Sequence, residues 1–96
     1  MKTRYTAISG ELPKGYHLVR PLDVEVWVEA GEVVASSFEL LLTAFGDTEE
    51  TAFANLKEAI VGRLELYQGH TRLSPNMRRN RDHILDYTAP DTFTML

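Results

Sequence analysis

The segment DVEVWVEA, residues 23–30, alternates its side chains with a period of two. Val24, Val26 and Val28 point to one side and Asp23, Glu25, Trp27 and Glu29 to the other, as in a strand with one face in a core. No other stretch constrains the chain as tightly, because a strand with a β-branched face must find both a partner strand and an apolar cover. AGE at 30–32 supplies a turn, with Gly31 free to take positive φ, and VVASSFE at 33–39 resumes as a second strand, completing a hairpin. LLLTAF at 40–45 reads as a third strand, and its more continuous apolar run predicts a central place or cover on both faces. TRYTAIS at 3–9 is expected to add an edge strand, whereas Pro13, Gly15 and Pro21 punctuate what lies between.

The cover comes next. After Gly46, which allows a sharp exit from the strand, Asp47 is expected to act as a helix N-cap, and Glu50 three residues later completes a capping-box-like pair with a favourable first-turn charge. Ala52, Phe53, Leu56, Ala59, Ile60, Leu64 and Tyr67 then recur at helical spacing until Gly69, predicting a helix over about 48–68, ~31 Å long at 1.5 Å per residue. With Leu66 its apolar arc spans about 160°, more than the ~100° stripe that one sheet needs. The remainder calls for the C-terminal segment or a second subunit, and Arg63 near the centre of the arc needs a carboxylate or a route to water. Residues 73–87, LSPNMRRNRDHILDY, read as a shorter helix with Ser74 as N-cap, Pro75 at its first position and Met77, Ile84, Leu85 and Tyr87 as sparse apolar positions. The segment after Pro90 is expected to be loose. The fold class is therefore α+β: a three-stranded, or with the edge strand four-stranded, antiparallel sheet packed by one long helix, with a short C-terminal helix, in one domain over residues 1–96.

Ninety-six residues, 44% of them hydrophobic, allow one compact core. With no cysteine there is neither a disulfide framework nor a thiolate metal site. The N-terminal region lacks the apolar run of a signal peptide, and LLL before Thr43 is far too short for a membrane span, so a cytoplasmic, soluble chain is expected. Charge is distributed unevenly. Residues 1–22 hold four basic and one acidic side chain, residues 23–58 one and nine, and residues 59–96 five and four. The acidic middle either steers a basic partner or is a solvated face that keeps a small domain soluble.

Few groups converge for catalysis. His17, His70 and His83 are scattered without ligand spacing, Ser36 and Ser37 lack a nucleophile elbow, and the glycines match no phosphate loop, so no cofactor, metal or enzyme activity is expected. Glu25, Glu29, Glu32 and Glu39 are the carboxylates from which a metal-dependent hydrolase or nuclease would have to be built. Glu25 and Glu29 with Trp27 between them read as a solvated face with an aromatic packed over it; the functional variant is an acidic patch, Asp23, Glu25, Trp27 and Glu29, that binds a protein. Arg72, Arg78, Arg79 and Arg81 suit nucleic-acid contact by phosphate neutralisation, but Asp82 and Asp86 dilute their field, which favours intramolecular pairing with the acidic sheet.

The order of hairpin, third strand and GDTEETAFANLKEAI resembles the HicB-like antitoxin family, which has a G-D-T-x-x-x-A turn and a helix of the form A-x-x-N-L-K-E-A-I. Gly46, Asp47, Thr48, Ala52, Asn55, Leu56, Lys57, Glu58, Ala59 and Ile60 match, within a family-like core over about 22–68 and ahead of a helical extension over about 73–88. Leu40 and Leu41 stand where the family usually has a proline–glycine pair. The resemblance implies a β-β-β-α unit similar to an incomplete ribonuclease H fold without its catalytic carboxylates. It also implies a homodimer or higher oligomer and a small basic HicA-like toxin as partner, or an orphan relative without one. Only 27 residues follow Gly69, room for one short helix rather than the family's DNA-binding segment, so operator binding is not expected.

Overall fold

The computed structural model describes residues 2–69 and 72–91. Five strands form one antiparallel sheet: β1 (Arg4–Leu12), β2 (Tyr16–Glu29), β3 (Glu32–Ser37), β4 (Leu42–Gly46) and β5 (Thr88–Pro90). β1 to β4 lie side by side in chain order, and β5 adds to the first residues of β2. Two helices complete the fold, α1 (Glu49–Gln68) and α2 (Pro75–Leu85), so the α+β class and the edge strand are as expected.

β2 begins seven residues before the alternating segment and runs through Pro21. A bulge makes this tolerable: Ile8 faces Leu22 while Gly10 already faces Leu18, so β2 holds two extra residues around the proline and its missing N–H breaks no ladder bond. The β2–β3 turn is two residues, Ala30 at φ 52° and Gly31 at φ 80°, the paired positive values of a type I′ hairpin. Two expectations need correction. β4 is an edge strand with an alternating pattern, not a central one, because Leu40 and Leu41 belong to the preceding turn and only Leu42 enters the sheet. Leu41 itself sits at φ 56°, the left-handed conformation that a glycine adopts readily. The N-cap of α1 is Thr48, not Asp47: Thr48 is extended (φ −130°, ψ 166°), its Oγ1 accepts from the Thr51 N–H at 3.1 Å, and Glu50 keeps only its first-turn charge.

α1 lies across one face of the sheet. Leu22, Val24, Val26, Ala35, Leu42 and Ala44 meet Ala52, Leu56, Ile60 and Leu64 in a single core, several of them wholly without solvent contact. Val28 shares this face but sits by the hairpin tip, 57% exposed. Gly46 is required here because a Cβ would lie 2.5 Å from the Ala52 nitrogen; the helix starts directly against the end of β4. Two motif residues staple the helix to the sheet: Asn55 Nδ2 donates to the Phe45 carbonyl at 2.7 Å and Lys57 Nζ to the Ser9 carbonyl at 3.0 Å.

Part of the rest of the α1 arc is covered in cis: Ile84 and Tyr87 join the core, with Leu73 and Met77 packed against it, while Leu66 at the edge of the arc stays 46% exposed. Ser74 caps α2 as expected, accepting from the Met77 N–H, and Gly69 ends α1 with its N–H on the Glu65 and Tyr67 carbonyls. Arg63 is half-buried, with a route to water. Among the described residues no helix is long and apolar enough to cross a membrane.

Candidate functional site

Among the described residues no helix lies over the opposite face of the sheet. Antiparallel register places cross-strand partners on the same face. One row therefore runs Tyr5, Glu25, Ser36, Thr43 and the next Trp27, Val34, Phe45. Asp23 and Glu29 flank Glu25 and Trp27 along β2, so the four residues of the acidic patch do share one surface. Ser36 and Thr43 bond through their hydroxyls at 2.9 Å, and the Trp27 indole N–H donates to Glu29 Oε1 at 2.9 Å, which orients the ring along the strand.

Val34 shows what the aromatics do. It is 1% exposed yet stands apart from the core under α1; Trp27 and Phe45, its neighbours in the row, screen it instead. The cover is partial. Phe45 remains 52% exposed, Tyr5 73%, and Phe38, in the turn after β3, 78%. Large apolar groups contiguous on one uncovered face mark an interaction surface more often than singly scattered ones do.

The carboxylates around these rings are largely free. Asp23, Glu25 and Glu32 make no hydrogen bond or ion pair among the described residues. Neither do they converge on a metal: among the described residues no group of three or more histidine, aspartate or glutamate side chains is placed to hold an ion. Glu39, unlike them, is partnered: it accepts from Tyr87 Oη at 3.4 Å and lies 3.9 Å from His83 Nε2.

The arginines expected to pair with the sheet do not reach it. Arg81 bonds Asp82 on its own helix, Arg79 bonds Asn76 one turn back, and Arg72 and Arg78 are exposed without a partner among the described residues. Arg20, on β2, places its guanidinium carbon 4.1 Å from the Tyr87 ring centroid. His17 holds Asp91 at 2.6 Å, His83 stacks on Tyr87, and His70 lies outside the described residues.

Compared with protein-family models, with curated proteins and with solved structures, the chain matches none. Function therefore rests on the site's own chemistry. Residue patterns located the acids and Trp27 but missed Tyr5, Phe38 and Phe45. Strand parity was the available signal, since Phe45 alternates with Ala44 as Thr43 does, but the apolar LLL obscured where that strand begins.

Proposed function

We propose that this chain is a non-catalytic binding module, a HicB-like antitoxin or an orphan relative of one, that engages a small basic protein through the outer face of its sheet. The observation that carries this reading is the combination on one uncovered surface of Tyr5, Trp27, Phe45 and Phe38 with the unpaired Asp23 and Glu25. Aromatic anchors supply desolvated contact area, and a single sign of charge steers a partner of the opposite sign and rejects acidic ones. The separate placement of the arginines on α2 supports it too, because among the described residues no cation pairs with Asp23 or Glu25. The HicB-like pattern of residues 44–60 supplies the suggestion that the partner is toxin-like. A homodimer is part of this reading and is tested by light scattering at micromolar concentration, where a clean monomer rejects it.

Affinity capture from the native host tests the surface, comparing the wild-type chain with a Trp27→Ala, Glu25→Lys double variant. The expected result is a small basic protein held by the wild type and bound at least about tenfold more weakly by the variant in a subsequent calorimetric titration. Equal recovery of every partner by both forms rejects the surface.

A further inference from the structure

One part of the outer face is concave. A groove of about 480 Å³ is lined by Tyr5 on β1, Asp23, Val24 and Glu25 on β2, Ser36 on β3, and Phe38 and Glu39 in the turn after it. The topology explains why it exists. β2 pairs with β3 at residues 25–29 and with β5 at residues 16–18; between them the Val19 N–H bonds the Tyr87 carbonyl and no strand pairs with residues 19–24 on that side among the described residues. The sheet is open there, and the turn over residues 38–41 forms its far wall.

We propose that this groove takes an arginine side chain of the protein partner, a step that rests on the reading of the outer face as a docking surface for a basic protein. Its walls are two exposed aromatic rings, and its polar lining is acidic. The carboxylates of Asp23 and Glu25 have no partner among the described residues, and Glu39 is held at the other side by Tyr87 Oη at 3.4 Å. A cation flanked by ring faces and carboxylates gains both quadrupole and charge-assisted hydrogen-bond stabilisation. The planar guanidinium suits the site better than an ammonium, because it stacks on a ring while its edge donates to a carboxylate in the ring plane.

The test is a nitrogen- and aromatic-carbon-detected NMR titration of the full chain with a glycine–serine hexapeptide carrying two arginines. Matched peptides carry lysine or the uncharged, equally planar citrulline instead. The expected result is that the arginine peptide shifts the signals of Tyr5, Glu25, Ser36, Phe38 and Glu39, and that it binds about fivefold more tightly than the lysine peptide and about tenfold more tightly than the citrulline peptide. Phe38→Ala and Glu25→Gln, both at exposed or half-exposed positions, each weaken it about five- to tenfold while leaving the rest of the spectrum in place. Equal binding of arginine and lysine, or of arginine and citrulline, overturns the assignment. So does a perturbation centred on Trp27 and Phe45 with the groove silent, an outcome that leaves the wider docking face standing. Absence of any shift overturns the groove, and the affinity capture above then decides the wider reading independently.

Discussion

The two faces of this sheet are made by the same strands and alternate residue by residue, yet they obey different rules. The inner face is aliphatic and small, with Val24, Val26, Ala35 and Ala44 lying flat enough for α1 to pack close, and every one of them is buried. The outer face carries the large rings and the free acids, and among the described residues no helix covers them. Folding explains the first pattern completely. It does not explain the second, because a face exposed to water needs neither Phe38 nor Tyr5 to be stable. Side chains that architecture does not require are where function is to be sought, and on that contrast the outer face is the candidate.

The sharpest way to break the comparison is to ask whether stability is concentrated on the helix side. Leu56 is wholly buried where α1 crosses the sheet, so Leu56→Ala removes packed methyl groups and leaves a void between two rigid elements. It is expected to destabilise the chain by about 2–5 kcal/mol in urea denaturation. A loss below about 1 kcal/mol would mean that the sheet does not depend on this cover.

How far the sequence reaches is visible in the same contrast. Alternation in residues 23–30 located the hairpin and assigned its two faces, because a period of two is a direct consequence of strand geometry. The long helix and its fellow were legible from spacing and from Ser74 and Pro75. What was not legible depended on neighbours distant in sequence. Leu40 and Leu41 look like strand but form a turn that closes on itself when the Leu40 N–H donates to Ser37 Oγ. Residues 16–22 look broken by Pro21 but stay in the sheet because β2 takes up its extra residues in a bulge against β1. β5 exists only because α2 returns the chain to the open edge of β2. The site was half legible for the same reason. Acids in a run are visible in one dimension, whereas the meeting of Tyr5 with Phe38 is set by register and by a turn.

An intermediate effect concerns the start of α1, where two adjacent residues competed for one role. Thr48 Oγ1 satisfies the Thr51 N–H, and Asp47, exposed one residue earlier, makes no such bond. Thr48→Ala is therefore expected to cost about 1 kcal/mol, and Asp47→Ala to stay within about 0.5 kcal/mol of wild type. Thermal denaturation of the pair reads the difference directly, and the reverse order would restore Asp47 as the cap. The distinction bears on the faces because this turn seats the helix against Gly46 and so fixes how closely the inner face is covered.

The smallest effect on stability is also the one that says most about function. Phe38 is 78% exposed and contributes almost nothing to the core, so Phe38→Ser should change the unfolding free energy by no more than about 0.5 kcal/mol. If the outer face is a docking surface, the same substitution should weaken partner binding severalfold, because an aromatic anchor is lost where stability never needed it. Most core substitutions lower stability and binding together, since binding requires the folded state. A variant that leaves denaturation unchanged while affinity falls separates the two faces cleanly. A destabilisation above about 1 kcal/mol would instead make Phe38 part of the architecture, and the outer face would lose the feature that sets it apart from the inner one.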